Sequence, residues 1–358
     1  RGADILILDE PTAVLTPQET RKLFDVLRKM REDGKSIIII THKLNEVLEI
    51  SDRVTTLRKG ELVGTVDTKD ATEQSLTEMM VGQKIELNIH RDEPENTKER
   101  LVIENLSVVK KDGSLALDNV EFTAYGGEIL GIAGISGCGQ KELLESIAGL
   151  QTTTKKSSIL YKPDELGPQQ LVGKTPKEIR NLGIALSFVP EDRLGMGLVG
   201  NMDIIDNVML RSYKEGKSAF LNRKAPKNKA DDIINELEVV TPSPNTPVRR
   251  LSGGNIQKVL VGREIALQPK VLMVAYPVRG LDINSSYTIY NLLNQQKDEG
   301  VAVIFVGEDL DVLLQLCDRI VVMCSGKVTG VLDARKTTKE EIGLLMTKTG
   351  GADVGKQD

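Results

Sequence analysis

The sequence predicts an α/β fold in which a mainly parallel sheet is covered by helices and the whole unit occurs twice. Three observations predict it. Short β-branched runs alternate with helix-spaced segments, a glycine-rich loop joins a buried strand to a helix, and residues 3–80 repeat as residues 269–346. The repeat runs without a gap at a constant offset of 266 positions. Leu6 falls on Leu272, Pro11 on Pro277, Asp52-Arg53 on Asp318-Arg319, Gly60 on Gly326 and Met80 on Met346.

The elements follow in order. Ile5–Leu8 and Ser36–Ile40 read as buried strands, with a helix over Thr20–Asp33 whose apolar positions are Leu23, Val26 and Leu27. Lys84–Arg100 is polar, charge-dense and interrupted by Pro94, so it reads as a solvated linker. The expected organisation is the end of a first unit over 1–83, a linker over 84–100, a complete second unit over 101–349 and a tail over 350–358. The leading part of the first unit is expected to lie ahead of Arg1. In the second unit the alternation within Leu101–Thr123 predicts an antiparallel β-subdomain. Glu128–Ala133 predicts a strand and Leu143–Leu150 a helix. Val271–Val274, Ser285–Glu299 and Val301–Val306 repeat the strand–helix–strand order of the first unit.

Composition narrows the function. The net charge is −5, no long basic block occurs, aromatics are 3% and Trp is absent, which disfavours a nucleic-acid partner. No apolar run approaches the length of a membrane span. Cys138, Cys317 and Cys324 are too few and too irregular for a disulfide frame or a zinc site, which fits a reducing compartment.

The chemistry-bearing motifs come next. Gly134-Ile-Ser-Gly137-Cys138-Gly139-Gln140-Lys141 stands between strand and helix, where backbone N–H groups and a helix N-terminus surround phosphate oxygens. A full phosphate loop has Lys and then Ser or Thr where this chain has Gln140 and Lys141. The cradle is kept, while the charge on the terminal phosphates and the magnesium ligand are not. Cys138, at the helix start, is placed where a thiolate is favoured. In the first unit ILILDEPT puts Asp9 and Glu10 at a strand end, where one carboxylate can hold magnesium through water and the next can polarise the attacking water. His42 follows the next strand, within reach of a γ-phosphate. The second unit has Ala275, Tyr276 and Glu308 at those positions. In LSGGNIQK, Ser252 can cap the following helix, and Gly253 and Gly254 let backbone N–H groups approach an anion.

With these motifs the chain resembles the ATP-binding subunits of ABC transporters, in the tandem form that serves importers of simple sugars and nucleosides. The phrases DEPTAVLTPQE, SFVPEDR and YPVRGLD look most like the nucleoside branch. The resemblance implies a P-loop NTPase fold with an antiparallel β-subdomain and a helical subdomain carrying the signature LSGGNIQK. It also implies ATP and Mg2+ as cofactors, permease subunits and a solute-binding lipoprotein as partners, and a peripheral place on the cytoplasmic face of the membrane.

Carried over residue by residue, Asp9, Glu10 and His42 join Ser252, Gly253, Gly254 and Gln257 in one competent site. Gly134, Gly137, Cys138, Gly139, Gln140, Lys141 and Glu191 join Ala275, Tyr276 and Glu308 in a degenerate one, which should hold nucleotide without splitting it. The chain departs from the family in lacking an aromatic for adenine over Val109–Leu117. Glu191–Arg193 is the expected face for a permease helix. The rival reading, a tandem ABC ATPase acting on ribosomes or nucleic acid, sits poorly with the short mixed-charge linker and the single competent site.

Overall fold

The computed structural model describes residues 3–12, 15–41, 43–58, 60–82, 89, 91–94, 97–165, 167–181, 186–213, 222–279, 281 and 283–347, and every structural statement below concerns these. His42, the tail over 350–358 and most of residues 83–90 lie outside them. The chain divides into two units, residues 1–89 and 90–358.

The first unit holds β1 (Ile5–Asp9), α1 (Pro17–Glu32), β2 (Ser36–Ile40), α2 (Leu44–Ile50), β3 (Arg53–Arg58), β4 (Glu61–Asp67) and α3 (Glu73–Val81). β1 and β2 pair in parallel from Ile5 opposite Ser36 to Asp9 opposite Ile40, and β3 and β4 form an antiparallel hairpin. α1 begins with a reciprocal cap. The Thr16 hydroxyl accepts from the Glu19 amide (3.3 Å), and the Glu19 carboxylate accepts from the Thr16 amide (2.9 Å). The buried face of α1 is Phe24 and Leu27, whereas Val26 is exposed, against the expectation from spacing. Phe24 and Leu27 lie three residues apart and so share one stripe, from which Val26 is turned away.

The second unit begins with β5 (Lys98–Val109), β6 (Leu115–Gly126), β7 (Glu128–Gly134), α4 (Gln140–Ile147), β8 (Ser158–Tyr161), β9 (Gln169–Gln170), α5 (Pro176–Asn181) and β10 (Leu186–Val189). It continues with α6 (Ile204–Met209), α7 (Lys224–Glu236), α8 (Gly253–Ile265), β11 (Val271–Ala275), α9 (Ile283–Asp298), β12 (Ala302–Val306), α10 (Leu310–Leu316), β13 (Arg319–Cys324), β14 (Lys327–Asp333) and α11 (Lys339–Thr347). The main sheet runs β10-β11-β12-β7-β13-β14, parallel except for β14. A second sheet, β6-β5-β8-β9, is antiparallel. α4 packs Leu143, Leu144 and Ile147 into the cluster where both sheets meet, against Leu130 and Ile132 of β7 and Leu106 and Leu117 of β5 and β6. That packing fixes the strand–loop–helix corner at Gly134–Gln140. α4 starts at Gln140, three residues before the predicted start.

The repeat holds at the level of single hydrogen bonds. Glu10 N–H donates to the Ile40 carbonyl (2.8 Å), and Tyr276 N–H to that of Val306 (2.9 Å). The hairpins β3–β4 and β13–β14 shift register at the equivalent places, Thr56/Leu57 and Val322/Met323. Surroundings differ. β11 and β12 are buried at every position, while Ile5, Ile7, Ile38 and Ile40 are exposed in the first unit. There, no described strand takes the place that β7 holds between β12 and β13. Residues read as solvated linker also carry structure. The Asp92 carbonyl accepts from Lys297 Nζ (2.6 Å) and Arg335 Nη2 (2.9 Å), and β5 already begins at Lys98.

Candidate functional site: the phosphate loop and signature helix

The glycine loop keeps an anion-binding shape in its backbone. Gly137 and Gly139 have φ of +86° and +103°, which side-chain-bearing residues rarely adopt. A Cβ on Gly137 would meet nothing within 4 Å, whereas one on Gly139 would lie 2.8 Å from the Ala116 carbonyl oxygen. The loop is therefore open at its middle and tight against β6 at its end. Gln140, in the position of the phosphate-neutralising lysine, is buried, and its Nε2 donates to the Ile135 carbonyl of the same loop (3.2 Å). A Cβ on Gly134 would lie 2.6 Å from that nitrogen, so the glycine makes room for the turned-back amide. Lys141 is largely exposed, 3.9 Å from Glu145. Cys138 packs partly buried against the apolar cluster.

Beside the loop lies a pocket of about 280 Å³ lined by Gln140, Lys141, Phe188, Glu191, Ala275, Tyr276 and Val306 among others. The sequence places these residues far apart; the parallel order of β10, β11, β12 and β7 brings their carboxyl ends together. Tyr276 follows β11 with φ of +47°, the same strained conformation as Glu10 (φ +45°) after β1. Burial, with the Glu191 and Glu308 charges adding to it, pushes its phenol up to about 12, so it stays neutral and is no base for water.

Glu191 and Glu308 hold Arg279 between them. Arg279 Nη1 is 2.5 Å from Glu191 Oε1, its Nε is 3.9 Å from Glu308 Oε2, and the guanidinium stands 5.8 Å from the centroid of the Tyr276 ring. Sequence reasoning missed Arg279; the signal was a basic residue three positions after the lost acid. No oxygen donor stands at Lys141 or Ala275, so that pair of positions does not fit Mg2+. No cluster of three His, Cys, Asp or Glu suited to a metal occurs among the described residues.

The signature segment forms as expected. Ser252 caps α8, accepting from the Asn255 amide (3.4 Å) and Asn255 Nδ2 (2.8 Å), and Asn255 Oδ1 accepts from the Val240 amide (2.8 Å). Ser252 and Gly253 are exposed, while Ile256, Val259 and Leu260 are buried. Gln257, expected among the nucleotide contacts, lies inside. It is 1% exposed and turned into the interior, and neither end of its amide has a hydrogen-bond partner among the described residues. α8 turns Gln257 inward together with its buried neighbours Ile256, Val259 and Leu260.

In the first unit, Asp9 ends β1 exposed and Glu10 is half-buried, accepting from the Thr41 hydroxyl (3.5 Å). Thr12 is buried against Glu46 (2.7 Å), and Lys43 reaches both Thr12 and Glu46. His42 falls between Thr41 and Lys43, outside the described residues.

Comparison with known proteins agrees with this geometry. Residues 117–277 match the family described as ABC transporter. The chain is 37% identical over 349 residues to the nucleoside import ATP-binding protein NupA of Lactococcus lactis subsp. cremoris, covering 97% of this chain and 67% of that protein. It is 39% identical over 357 residues to the glucose import ATP-binding protein TsgD13 of Haloferax volcanii, covering 98% and 64%. The chain thus spans about two thirds of the length of these relatives. In fold it matches the ATP-binding cassette MJ0796 in a dimeric post-hydrolysis state bound to ADP and Pi, with a TM-score of 0.57, 22% identity, and coverage of 66% of this chain and 100% of that one. The phosphate loop, the capped signature helix and 37–39% identity over nearly all of this chain to two importers' ATP-binding proteins together place the chain in the family of sugar and nucleoside import ATP-binding proteins, the ATPases of ABC transporters.

Proposed function

We propose that the chain energises an importer of nucleosides or simple sugars through one competent ATP site and one that holds nucleotide without splitting it. One observation carries this. Glu10 and Tyr276 share a backbone position, a positive φ and a hydrogen bond to the neighbouring strand, yet one is a carboxylate and the other a neutral phenol. Glu10 orients a water and takes its proton, and His42 reaches the γ-phosphate. Asp9 offers an oxygen for Mg2+, which when bound neutralises charge on the β- and γ-phosphates. Ser252, Gly253 and Gly254 present a hydroxyl and backbone N–H groups to the phosphate from the start of α8.

In the second unit the backbone N–H groups of Gly134–Lys141 hold phosphate, and Glu191 lines the same pocket. The replacements at Gln140, Lys141, Ala275 and Tyr276 remove the cation, the metal ligand and the base together. Each such loss typically costs several kcal/mol of transition-state stabilisation, so turnover there is negligible.

The nucleoside reading rests on the sequence phrases and on the relative from Lactococcus. The glucose-importing relative, at slightly higher identity, supports a simple sugar as the alternative. The partners are permease subunits and, through them, a solute-binding lipoprotein; nucleic acid is not among them. No described helix is long and apolar enough to cross a membrane. The place proposed for the subunit is the cytoplasmic face, held by the permease. Phosphate release by the polypeptide carrying both units, assembled with its permease, tests the reading. Glu10→Gln is expected to lower it by on the order of a hundredfold or more, whereas Tyr276→Phe and Glu308→Gln leave most of it. Equal losses from all three would refute the assignment.

A further inference from the structure

The guanidinium of Arg193 joins two segments that the chain keeps far apart. Its Nη1 donates to the Gly253 carbonyl at the start of α8 (3.3 Å), and its Nη2 donates to the Arg279 carbonyl in the loop after β11. It thereby crosses a cleft of about 410 Å³ lined by Ile256 on one side and Tyr276 on the other.

Two local features hold it there. Asp192 caps the π-helical turn Arg193–Gly197, accepting from the Gly195 amide (2.8 Å), and a Cβ on Gly195 would lie 2.0 Å from that carboxylate. A Cβ on Gly253 would lie 3.2 Å from Arg193 Nη1, so the guanidinium sits close against the glycine of the signature. Burial and the neighbouring Arg279 charge both lower the pKa of Arg193, so the two carbonyl bonds offset a real desolvation cost. Arg279 is in turn held by Glu191 and Glu308 over the Tyr276 ring, and Glu191 and Tyr276 line the pocket of the phosphate loop.

We infer that Arg193 is a positioning residue for the signature motif: it carries the state of the Glu191–Arg279–Glu308 cluster, and so the occupancy of the second unit's own phosphate pocket, to Ser252–Gly254. The inference rests on the proposed function, in which that pocket holds nucleotide and the signature serves the competent site. A phosphate entering the pocket competes with the two carboxylates for Arg279. When Arg279 changes partner its loop moves, the carbonyl held by Arg193 moves with it, and the start of α8 follows. A site that does not turn over would thereby still report its occupancy to the site that does.

Amide hydrogen exchange of the chain with and without millimolar ADP tests this, in wild type, Arg193→Ala and Arg193→Lys. In wild type ADP should slow exchange both around 135–145 and at the start of α8 (253–260), each by on the order of fivefold. Arg193→Ala should keep the first effect and lose the second. Arg193→Lys, which retains the charge without the planar fork, should keep only part of it. Unchanged exchange of 143–147 without ADP shows that the variants are folded. An α8 response undiminished in Arg193→Ala overturns the inference. Protection of 135–145 alone in wild type also overturns it while leaving the pocket reading intact, and no protection anywhere overturns both.

Discussion

The repeat supplies an internal control for the cost of breaking an ion pair. Lys297 and Asp318 are 3.1 Å apart with side chains 2% and 3% exposed; their counterparts Arg31 and Asp52 are 2.9 Å apart but 49% and 72% exposed. Asp318 also accepts from the Ile129 amide of β7 (3.0 Å), and Arg335 stands 3.4 Å away. Asp318→Asn keeps the shape and leaves Lys297 buried with the Asp92 carbonyl as its remaining partner. Breaking a buried pair in this way costs about 3–5 kcal/mol, and these residual contacts argue for the lower end. The exposed pair is worth about 0–1 kcal/mol, because water and salt screen it. At roughly 2–4 °C per kcal/mol for the second unit, Asp318→Asn should lower its Tm by roughly 6–12 °C. Asp52→Asn, in a first unit small enough for roughly 4–8 °C per kcal/mol, should cost no more than about 1 kcal/mol and so at most about 8 °C. Calorimetry reads both. All six tyrosines lie in the second unit and Trp is absent, so tyrosine fluorescence identifies which transition belongs to it. Equal losses in kcal/mol from the two variants, each shift converted with its own unit's unfolding entropy, or an Asp318→Asn shift within a few degrees of wild type, would show that burial does not govern the pair.

Other consequences are open to measurement. Glu128 is 3% exposed, and burial pushes its carboxyl up to about 7 in spite of Arg319 at 3.6 Å. Its folded pKa exceeds the ordinary 4.5, so its contribution to stability is full below about pH 4.5 and is lost as pH rises through 7. Over that window the loss is roughly 3 kcal/mol, and Glu128→Gln should flatten the pH dependence of urea unfolding there; an unchanged slope would contradict the assignment. Gln257→Leu should raise stability by about 1–3 kcal/mol, since it removes two unpaired buried polar atoms, and a destabilised variant would show that the amide has a partner. Cys317 and Cys324 are buried and burial pushes the Cys317 thiol up, so iodoacetamide should modify Cys138 first in the native chain. Nucleotide should slow that reaction, and a rate indifferent to ATP and ADP would count against occupancy of the loop.

Local patterns were enough for the elements and for the repeat. Strand runs such as Ser36–Ile40, the cap at Ser252 and the strand–loop–helix corner at Gly134–Gln140 depend on near neighbours, so their residues could be read in place. The shared position of Glu10 and Tyr276 was legible for the same reason, because a constant offset preserves backbone geometry. Burial and long-range partners were decided in three dimensions. Whether Asp52 and Asp318 face water depends on β7 lying beside one of them, and Gln257 is interior because α8 packs that face inward. Arg279 and Arg193 meet Glu191, Glu308 and Gly253 only because parallel strands with crossover helices gather segments up to 117 residues apart at one edge of the sheet. Hydrogen bonds and ion pairs act over a few ångströms of space, and the linear order of a chain records which residues are neighbours along it but not which become neighbours across it.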